Sequence, residues 1–455
     1  MNTDTTIAAI STPTGEGGIG VVRISGSNAA DIADSIFEAA SGKRLKGSVG
    51  YSAHFGTLHD KSGDTIDQCI ALVFKAPKSY TGEDIVELSV HGGDYVVRAA
   101  LRAAIDAGAV PAERGEFTKR AFLNGKLDLS EAEAVMDIIS ASDRQALSAG
   151  LAALGGAVSE KCGGIRDELK FAAATVAAFS DFPDEEPEFS GIDKLGELLE
   201  NAACRLGTLI SDYDTGRMIK NGINTVIIGP PNAGKSTLMN RLTGYDRSIV
   251  TPVAGTTRDT VEETVSFGGV TLRLCDTAGL HDTADPVEKI GVERTKERIA
   301  SADLVIVLLD GSDASYDSSE IMRLVCGKPT VVVYNKSDIA AYEPEGIKDE
   351  RQFTVSVSAK TGDGIERLAD AIKEMTAAEH LDGSSAVYLN ERQRDCAVRA
   401  ERSVKEALSA LESGITVDAV GVLIDEALSA LYELKGERVT VEVTNEVFSK
   451  FCVGK

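Results

Sequence analysis

The stretch Gly229-Pro230-Pro231-Asn232-Ala233-Gly234-Lys235-Ser236 constrains this chain more than any other. It fits the spacing G-x-x-x-x-G-K-[ST], a loop that wraps phosphate groups. The apolar run Thr225–Ile228 before it predicts a buried strand, and Thr237–Leu242 after it predicts the start of a helix. That context gives the pattern a mechanism. The glycines let backbone N–H groups close on phosphate oxygens with no Cβ in the way. The helix N-terminus adds unpaired donors and partial positive charge. In such a loop Lys235 reaches the β- and γ-phosphates, and the Ser236 hydroxyl ligates Mg²⁺.

Four further motifs follow in the order a guanine-nucleotide switch requires. Gly255-Thr256-Thr257-Arg258-Asp259 offers a threonine for Mg²⁺ in a first switch. Asp276-Thr277-Ala278-Gly279 follows a strand; its carboxylate would hold a Mg²⁺-bound water, and the Gly279 N–H would meet the γ-phosphate. Asn335-Lys336-Ser337-Asp338 follows another strand. The Asp338 carboxylate can accept both N1–H and N2–H₂ of guanine, a donor pair that adenine lacks, so it selects GTP over ATP. The Lys336 stem would cover the base. Ser358-Ala359-Lys360 would offer backbone donors to guanine O6. The expected GTP or GDP contacts are therefore Asn232, Ala233, Gly234, Lys235, Ser236 and Thr237 in the loop. To these are added Thr251, Pro252, Val253, Ala254, Gly255, Thr256 and Thr257 in the first switch, and the three later motifs.

The hydrolytic step is less ordinary. Many G proteins place Gln directly after the glycine of the Asp-Thr-Ala-Gly motif, where it orients the attacking water. Here that position is Leu280, which cannot. The acids Asp282, Asp285 and Glu288, or a cation, are the candidates to replace it.

The chain of 455 residues predicts about three domains. Residues 6–126 read as an α/β unit, with strands at 6–10, 20–25, 69–74 and 85–90, and helices at 29–40 and 95–107 closed by Gly108. From Leu127 the texture turns helical, with Asp128 as an N-cap before an acidic first turn. Strand–helix alternation returns at 222–376, with strands at 224–228, 270–275, 304–310, 330–335 and 353–358. It predicts a mostly parallel sheet with helices on both faces. The expected organisation is multidomain α/β plus all-α: an N-terminal domain over 1–126, a discontinuous helical domain of 127–221 plus 377–455, and an inserted Ras-like G domain over 222–376. The seven cysteines lie at 69, 162, 204, 275, 326, 396 and 452, without metal spacing. With no basic leader at Met1-Asn2-Thr3-Asp4 and no apolar run of membrane length, they predict a cytoplasmic protein with no membrane segment. A formal net charge of −24 argues against a broadly nucleic-acid-coated surface.

Several stretches carry a resemblance to a known family. They are Thr12 through Ser25, Tyr80-Thr81-Gly82-Glu83-Asp84, His91-Gly92-Gly93, Gly115 through Lys126, Asp181 to Glu186, the nucleotide motifs and the terminal Cys452-Val453-Gly454-Lys455. Over essentially its full length the chain resembles the MnmE (TrmE) family of tRNA modification GTPases. The resemblance implies a homodimerising N-terminal domain that binds a tetrahydrofolate derivative, 5-formyl- or methylene-tetrahydrofolate. Its folate contacts fall on Arg23, Glu87, Lys126 and Lys455. The family's K⁺ site falls on Asn232, Thr251, Val253 and Thr256, leaving Thr257 for Mg²⁺, and the acid that positions water falls on Glu288. The implied partner is the flavin-dependent MnmG (GidA), in a heterotetramer or larger complex. Together such proteins add an aminomethyl or carboxymethylaminomethyl group to C5 of the tRNA wobble uridine. Cys452 matches a cysteine important in the family. Lys435-Gly436-Glu437 stands where the family usually has Thr-Gly-Glu, and Val453 replaces an isoleucine.

Two other readings compete. One is a GTPase switch in ribosome assembly, without modification chemistry; the other is a folate-dependent one-carbon transferase for which GTP is only regulatory. The acidic balance leaves tRNA to be bound largely through the partner, with Arg114, Lys119, Arg120 and Lys126 expected as a small local contribution.

Overall fold

The computed structural model describes residues 5–13, 15–141, 143–181, 192–244, 262–275, 296–313, 316–340, 352–376 and 388–454. The first part of the chain runs β1 (Ile7–Ile10), β2 (Ile19–Ser25), α1 (Ala29–Ile36), β3 (Phe37–Ala39), β4 (Ser52–His59), β5 (Thr65–Phe74), β6 (Ile85–His91), α2 (Asp94–Asp106), β7 (Val110–Pro111) and α3 (Glu116–Leu123). Helices α4 (Leu129–Ser140), α5 (Arg144–Leu154), α6 (Ala157–Asp181) and α7 (Ile192–Asn221) follow. Next come β8 (Ile223–Ile228), α8 (Lys235–Thr243), β9 (Glu262–Phe267), β10 (Val270–Cys275), β11 (Leu304–Asp310), α9 (Ser319–Leu324), β12 (Thr330–Asn335), β13 (Gln352–Ser356) and α10 (Ile365–Met375). Helices α11 (Glu391–Glu412), α12 (Val417–Lys435) and α13 (Val441–Ser449) close the chain. The chain divides into two compact units, one of 1–136, 159–202 and 399–455, the other of 137–158 and 203–398. No helix among the described residues is long and apolar enough to cross a membrane.

The first unit is built on a seven-stranded sheet of order β3-β4-β5-β6-β2-β1-β7, antiparallel except for the last pair. Alternation assigns its faces. Val22, Ile24, Val86, Leu88, Ala71 and Val73 point into the core beneath α1 and α2. Arg23 and Glu87, partners in the β2–β6 register, point to the opposite face. At the β1 side of that face Phe117 of α3 closes a small cluster with Ile7, Ala9 and Tyr80. Helix α2 ends as expected, with Gly108 at φ +111°. The helix expected over 29–40 is shorter: it stops at Ile36, and Phe37–Ala39 instead pairs with β4, Phe37 opposite Leu58. A buried phenylalanine on a sheet edge outweighs a locally helical composition.

The helical part of this unit buries one stripe per helix. Cys162, Ile165, Leu169, Ala172 and Val176 on α6 follow helical spacing, as do Val420, Ile424, Ala427, Leu431 and Leu434 on α12. Gly421 lets the two helices approach, since a Cβ there would lie 2.9 Å from Val176 Cγ1. Helix α4 begins with a reciprocal cap: Glu131 N–H donates to Asp128 Oδ1 and Asp128 N–H to Glu131 Oε2, both at 2.8 Å.

The basic run on α3 does not face water. Arg120 is 4% exposed; it donates to Thr5 O at 2.8 Å, to Glu83 at 3.1 Å and to Glu116 at 2.9 Å. Lys119 is 7% exposed and donates to Asn445 Oδ1 at 2.6 Å. Burial pulls the Lys119 ammonium below its ordinary pKa, against the opposing pull of Glu113 and Glu116. The expectation that Lys119 and Arg120 meet tRNA is thus corrected, because both are spent inside the fold. Arg120→Met leaves Glu83 and Glu116 as partly buried carboxylates without their cation. It should cost about 3–5 kcal/mol, read as a lower urea midpoint; an unchanged midpoint would remove Arg120 from the fold's support.

Candidate nucleotide site

The second unit carries a six-stranded sheet of order β13-β12-β11-β8-β10-β9, parallel throughout except for β9 against β10. This is the mostly parallel sheet that alternation predicts. One face packs Leu238 and Leu242 of α8 with Ile365, Leu368 and Ile372 of α10; the other packs Ile299 and Ile321. Ligands of such sheets lie outside the carboxyl ends of the strands. The loops after β8, β11, β12 and β13 end there.

The loop after β8 is shaped by what it cannot hold. A Cβ on Gly229 would lie 2.1 Å from the Leu308 carbonyl oxygen. Gly234, at φ +99°, leaves 2.3 Å between an added Cβ and Asn335 Nδ2. Asn232 is an exposed L-residue in the left-handed region, φ +64°. Helix α8 then starts at Lys235 with no side-chain cap, so its first amides stay open toward the loop. The Lys235 ammonium donates to Gly229 O at 2.8 Å and to Pro230 O at 3.0 Å, and so spans the mouth of the loop. Ser236 and Thr237 lie beside it, Thr237 exposed, and Ala233 is buried beneath it.

Asn335 fastens three loops together. Its side chain is buried; Nδ2 donates to Ala233 O at 2.8 Å, and Oδ1 accepts from Ala359 N–H at 2.9 Å. The motif after β12 is thereby tied to the phosphate loop and to Ser358-Ala359-Lys360. Asp338 Oδ1 accepts from the buried Ser358 hydroxyl at 2.7 Å, which orients the exposed carboxylate. Ser337 N–H donates to Val357 O at 3.1 Å. Lys336, at φ +68°, pairs with Asp310 Oδ2 at 2.6 Å. Burial would raise the Asp310 carboxyl, but hydrogen bonds from Lys336 and Ser312 outweigh it and hold the group below its ordinary value. The pair is therefore intact at neutral pH and is lost only as pH falls through that lowered value.

Arg241 belongs to none of the nucleotide motifs. Its Nε donates to Ala359 O at 3.1 Å and its Nη2 to Lys360 O at 2.6 Å. From α8 it pins the carbonyls of the loop whose Ala359 N–H is held by Asn335. Thr251, Pro252, Val253, Ala254, Gly255, Thr256 and Thr257 lie outside the described residues. So do Asp276, Thr277, Ala278, Gly279, Leu280, Asp282, Asp285 and Glu288.

The expected folate residues belong to the first unit. Arg23 Nε donates to Glu87 Oε1 at 2.7 Å, and both side chains are mostly buried. The Arg23 guanidinium stacks 5.5 Å from the ring centroids of Tyr80 and of Phe117. Burial pushes the Tyr80 phenol up, against its bond to Thr118 and the charge of Arg23. Lys126, exposed, donates to Pro77 O at 3.1 Å. The tail after α13 reaches the same sheet: Gly115 N–H donates to Cys452 O at 3.3 Å, and Ser11 Oγ to Gly454 O at 3.1 Å. Only glycine fits at 454, where φ is +95° and a Cβ would lie 2.1 Å from Ile10 O. Cys452 is exposed. Cys69, by contrast, is buried, and burial and then the Asp67 charge push its thiol up to about 12. Lys455 lies outside the described residues.

A family model described as GTP-binding protein TrmE N-terminus matches residues 6–126, and one described as MnmE helical domain matches residues 129–452. The tRNA modification GTPase MnmE of Symbiobacterium thermophilum is 42% identical over 458 residues, covering 99% of each chain. Those of Heliobacterium modesticaldum and Roseiflexus castenholzii are 39% and 40% identical, covering 99% and 100% of each chain. The chain belongs to the MnmE family. The helical model spans the nucleotide-binding segment, so the MnmE architecture here is an N-terminal TrmE domain, a helical domain and a P-loop G domain.

Arg241→Ala should weaken GDP binding by up to about thirtyfold, since two hydrogen bonds near 1 kcal/mol each are removed. Arg241→Lys should recover only part, because an ammonium cannot span both carbonyls. Titration with a fluorescent GDP reads this; wild-type affinity in the alanine variant would show that the 358–360 loop holds itself.

Proposed function

We propose that this chain is a potassium-activated GTPase that modifies tRNA together with a flavin-dependent MnmG (GidA) partner. The modification is addition of an aminomethyl or carboxymethylaminomethyl group to C5 of the wobble uridine, with methylene-tetrahydrofolate as the one-carbon source. The observation that carries the reading is end-to-end identity of about 40% to MnmE proteins, in a chain whose 229–236, 335–338 and 358–360 loops converge. The same identity favours modification over ribosome assembly.

The residues fit guanine and phosphate. Open amides of the loop and Lys235 would bind the phosphates, with Ser236 and Thr257 as the Mg²⁺ ligands. Asp338, oriented by Ser358, would accept from the guanine edge, and Lys336, held by Asp310, would cover the base. With Leu280 where a glutamine often stands, Glu288 would orient the water. A potassium ion, when bound, supplies positive charge near the β–γ bridge, the electrostatic stabilisation the transfer needs. Asn232 would hold it from the loop, and the left-handed turn that exposes the Asn232 side chain supports that role. Thr251, Val253 and Thr256 would complete the set.

Arg23, Glu87 and two flanking aromatic rings suit a flat, polar-edged pterin. Lys126 and Lys455 would serve its acidic tail. Docking of 452–454 beside β1 supports a place for Cys452 and Lys455 near that site. A homodimer is supported by the open face of the N-terminal sheet, where Phe55 and Ile70 pair across β4 and β5 and are 58% and 44% exposed. Residues 127–221 and 377–455 are proposed to form one discontinuous helical domain around a G domain at 222–376. The helical model that runs across that segment supports the arrangement.

GTP turnover should be much faster in KCl than in NaCl at equal ionic strength; equal rates would remove the potassium assignment. Mass spectrometry of tRNA nucleosides from cells lacking the protein should show wobble uridines without the C5 substituent. Unchanged wobble uridines would refute the modification reading.

A further inference from the structure

One partly exposed cluster in the first unit is rich in cations, although the chain as a whole carries −24. Its centre is Tyr432, near the end of α12. The Arg438 guanidinium lies 4.7 Å from the ring centroid, that of Arg166 5.7 Å, and the Lys170 ammonium 5.8 Å. Arg166 and Lys170 share one face of α6 at i, i+4 spacing. Lys435 joins from the end of α12, 3.4 Å from Glu437. Against four cations stand two carboxylates. Glu437 pairs with Arg166 at 3.0 Å, and Asp167 with Lys170 at 3.5 Å.

We propose that the Arg166–Lys170–Lys435–Arg438 cluster around Tyr432 is a phosphate-binding contact for tRNA on this chain itself; it rests on the tRNA-modification reading. Three features separate it from a strut between helices. Lys170 and Arg438 are exposed. Arg438 has the ring as its partner and no carboxylate among the described residues. Arg166 Nε is buried without a hydrogen bond, 3.9 Å from Asp167 Oδ1, so hydrogen bonds within the fold do not saturate this guanidinium. Cations gathered this closely repel one another, and an oxyanion among them would relieve that repulsion. Guanidinium groups suit phosphate because they are planar and donate in pairs. The cluster supplies what Lys119 and Arg120, buried in α3, cannot. A single-stranded or helical RNA backbone of closely spaced phosphates matches several cations on one small surface better than an isolated carboxylate does.

The test is binding of unmodified tRNA to the full-length protein by fluorescence anisotropy over a KCl series. Lys170→Ala with Arg438→Ala should weaken binding about tenfold near 0.1 M salt. The slope of log affinity against log salt should fall by about 2, one for each cation removed. Glu437→Gln should tighten binding several-fold, because it removes the carboxylate that competes with phosphate. Arg402→Ala, an exposed cation of α11 paired with Glu406, should leave binding unchanged. Wild-type affinity and salt slope in the double variant would overturn the proposal, as would Glu437→Gln binding no tighter. Absence of tRNA binding by the wild-type protein would overturn it too. The modification reading would survive any of these results, because nucleoside mass spectrometry judges it independently.

Discussion

The nucleotide site depends on one buried amide. Asn335 uses its donor on Ala233 and its acceptor on Ala359, and so joins loops far apart in sequence. Each bond contributes about 1 kcal/mol net, but a buried partner left unmet costs about 1–3 kcal/mol. The arrangement is therefore worth more as a constraint than as a sum of bonds. Its geometry also dictates Gly234, since any side chain there would collide with the Asn335 amide. The strictness of the phosphate loop thus comes partly from a residue about a hundred positions downstream.

Around that amide the charged groups are held by their neighbours. Lys336 sits in the left-handed region and is held by Asp310, while Asp338 is held by Ser358. Orienting a long side chain on binding costs up to about 2 kcal/mol of rotamer freedom. Neighbours that fix the side chain beforehand reduce that cost. Arg241 extends the same logic to the backbone: it holds Ala359 O and Lys360 O while Asn335 holds the Ala359 N–H, so the loop is fixed from both sides.

Most of the fold is legible in the sequence because its signals are local. The phosphate loop, Asn335-Lys336-Ser337-Asp338 and Ser358-Ala359-Lys360 each announce themselves through spacing after an apolar strand, and the structure brings them together. Arg241 carries no such signal, because its partners are backbone carbonyls 118 and 119 residues away, and any sequence supplies carbonyls. Strand β4 is faint in the sequence because only Gly56 and Leu58 are buried along it. Phe37 reads as part of a helix because its β4 partner lies beyond the reach of local periodicity.

Charge misleads for a related reason. Lys and Arg are mostly exposed, so Gly115 through Lys126 reads as a basic surface, yet Arg120 is consumed by Glu83 and Glu116. Arg23, also single in its strand, is paired with Glu87 and lies 5.5 Å from the centroids of two rings. Lys170 and Arg438 belong to segments whose sequences are ordinary in charge, but the fold sets them beside one tyrosine. In a chain with 71 acidic and 47 basic residues, a cation's role is decided by whether an acid reaches it within the fold. Net charge then sets only the background against which a few uncompensated cations act. Because ions screen beyond roughly 10 Å at 0.1 M salt, such a local excess can meet phosphate despite the distant negative surface.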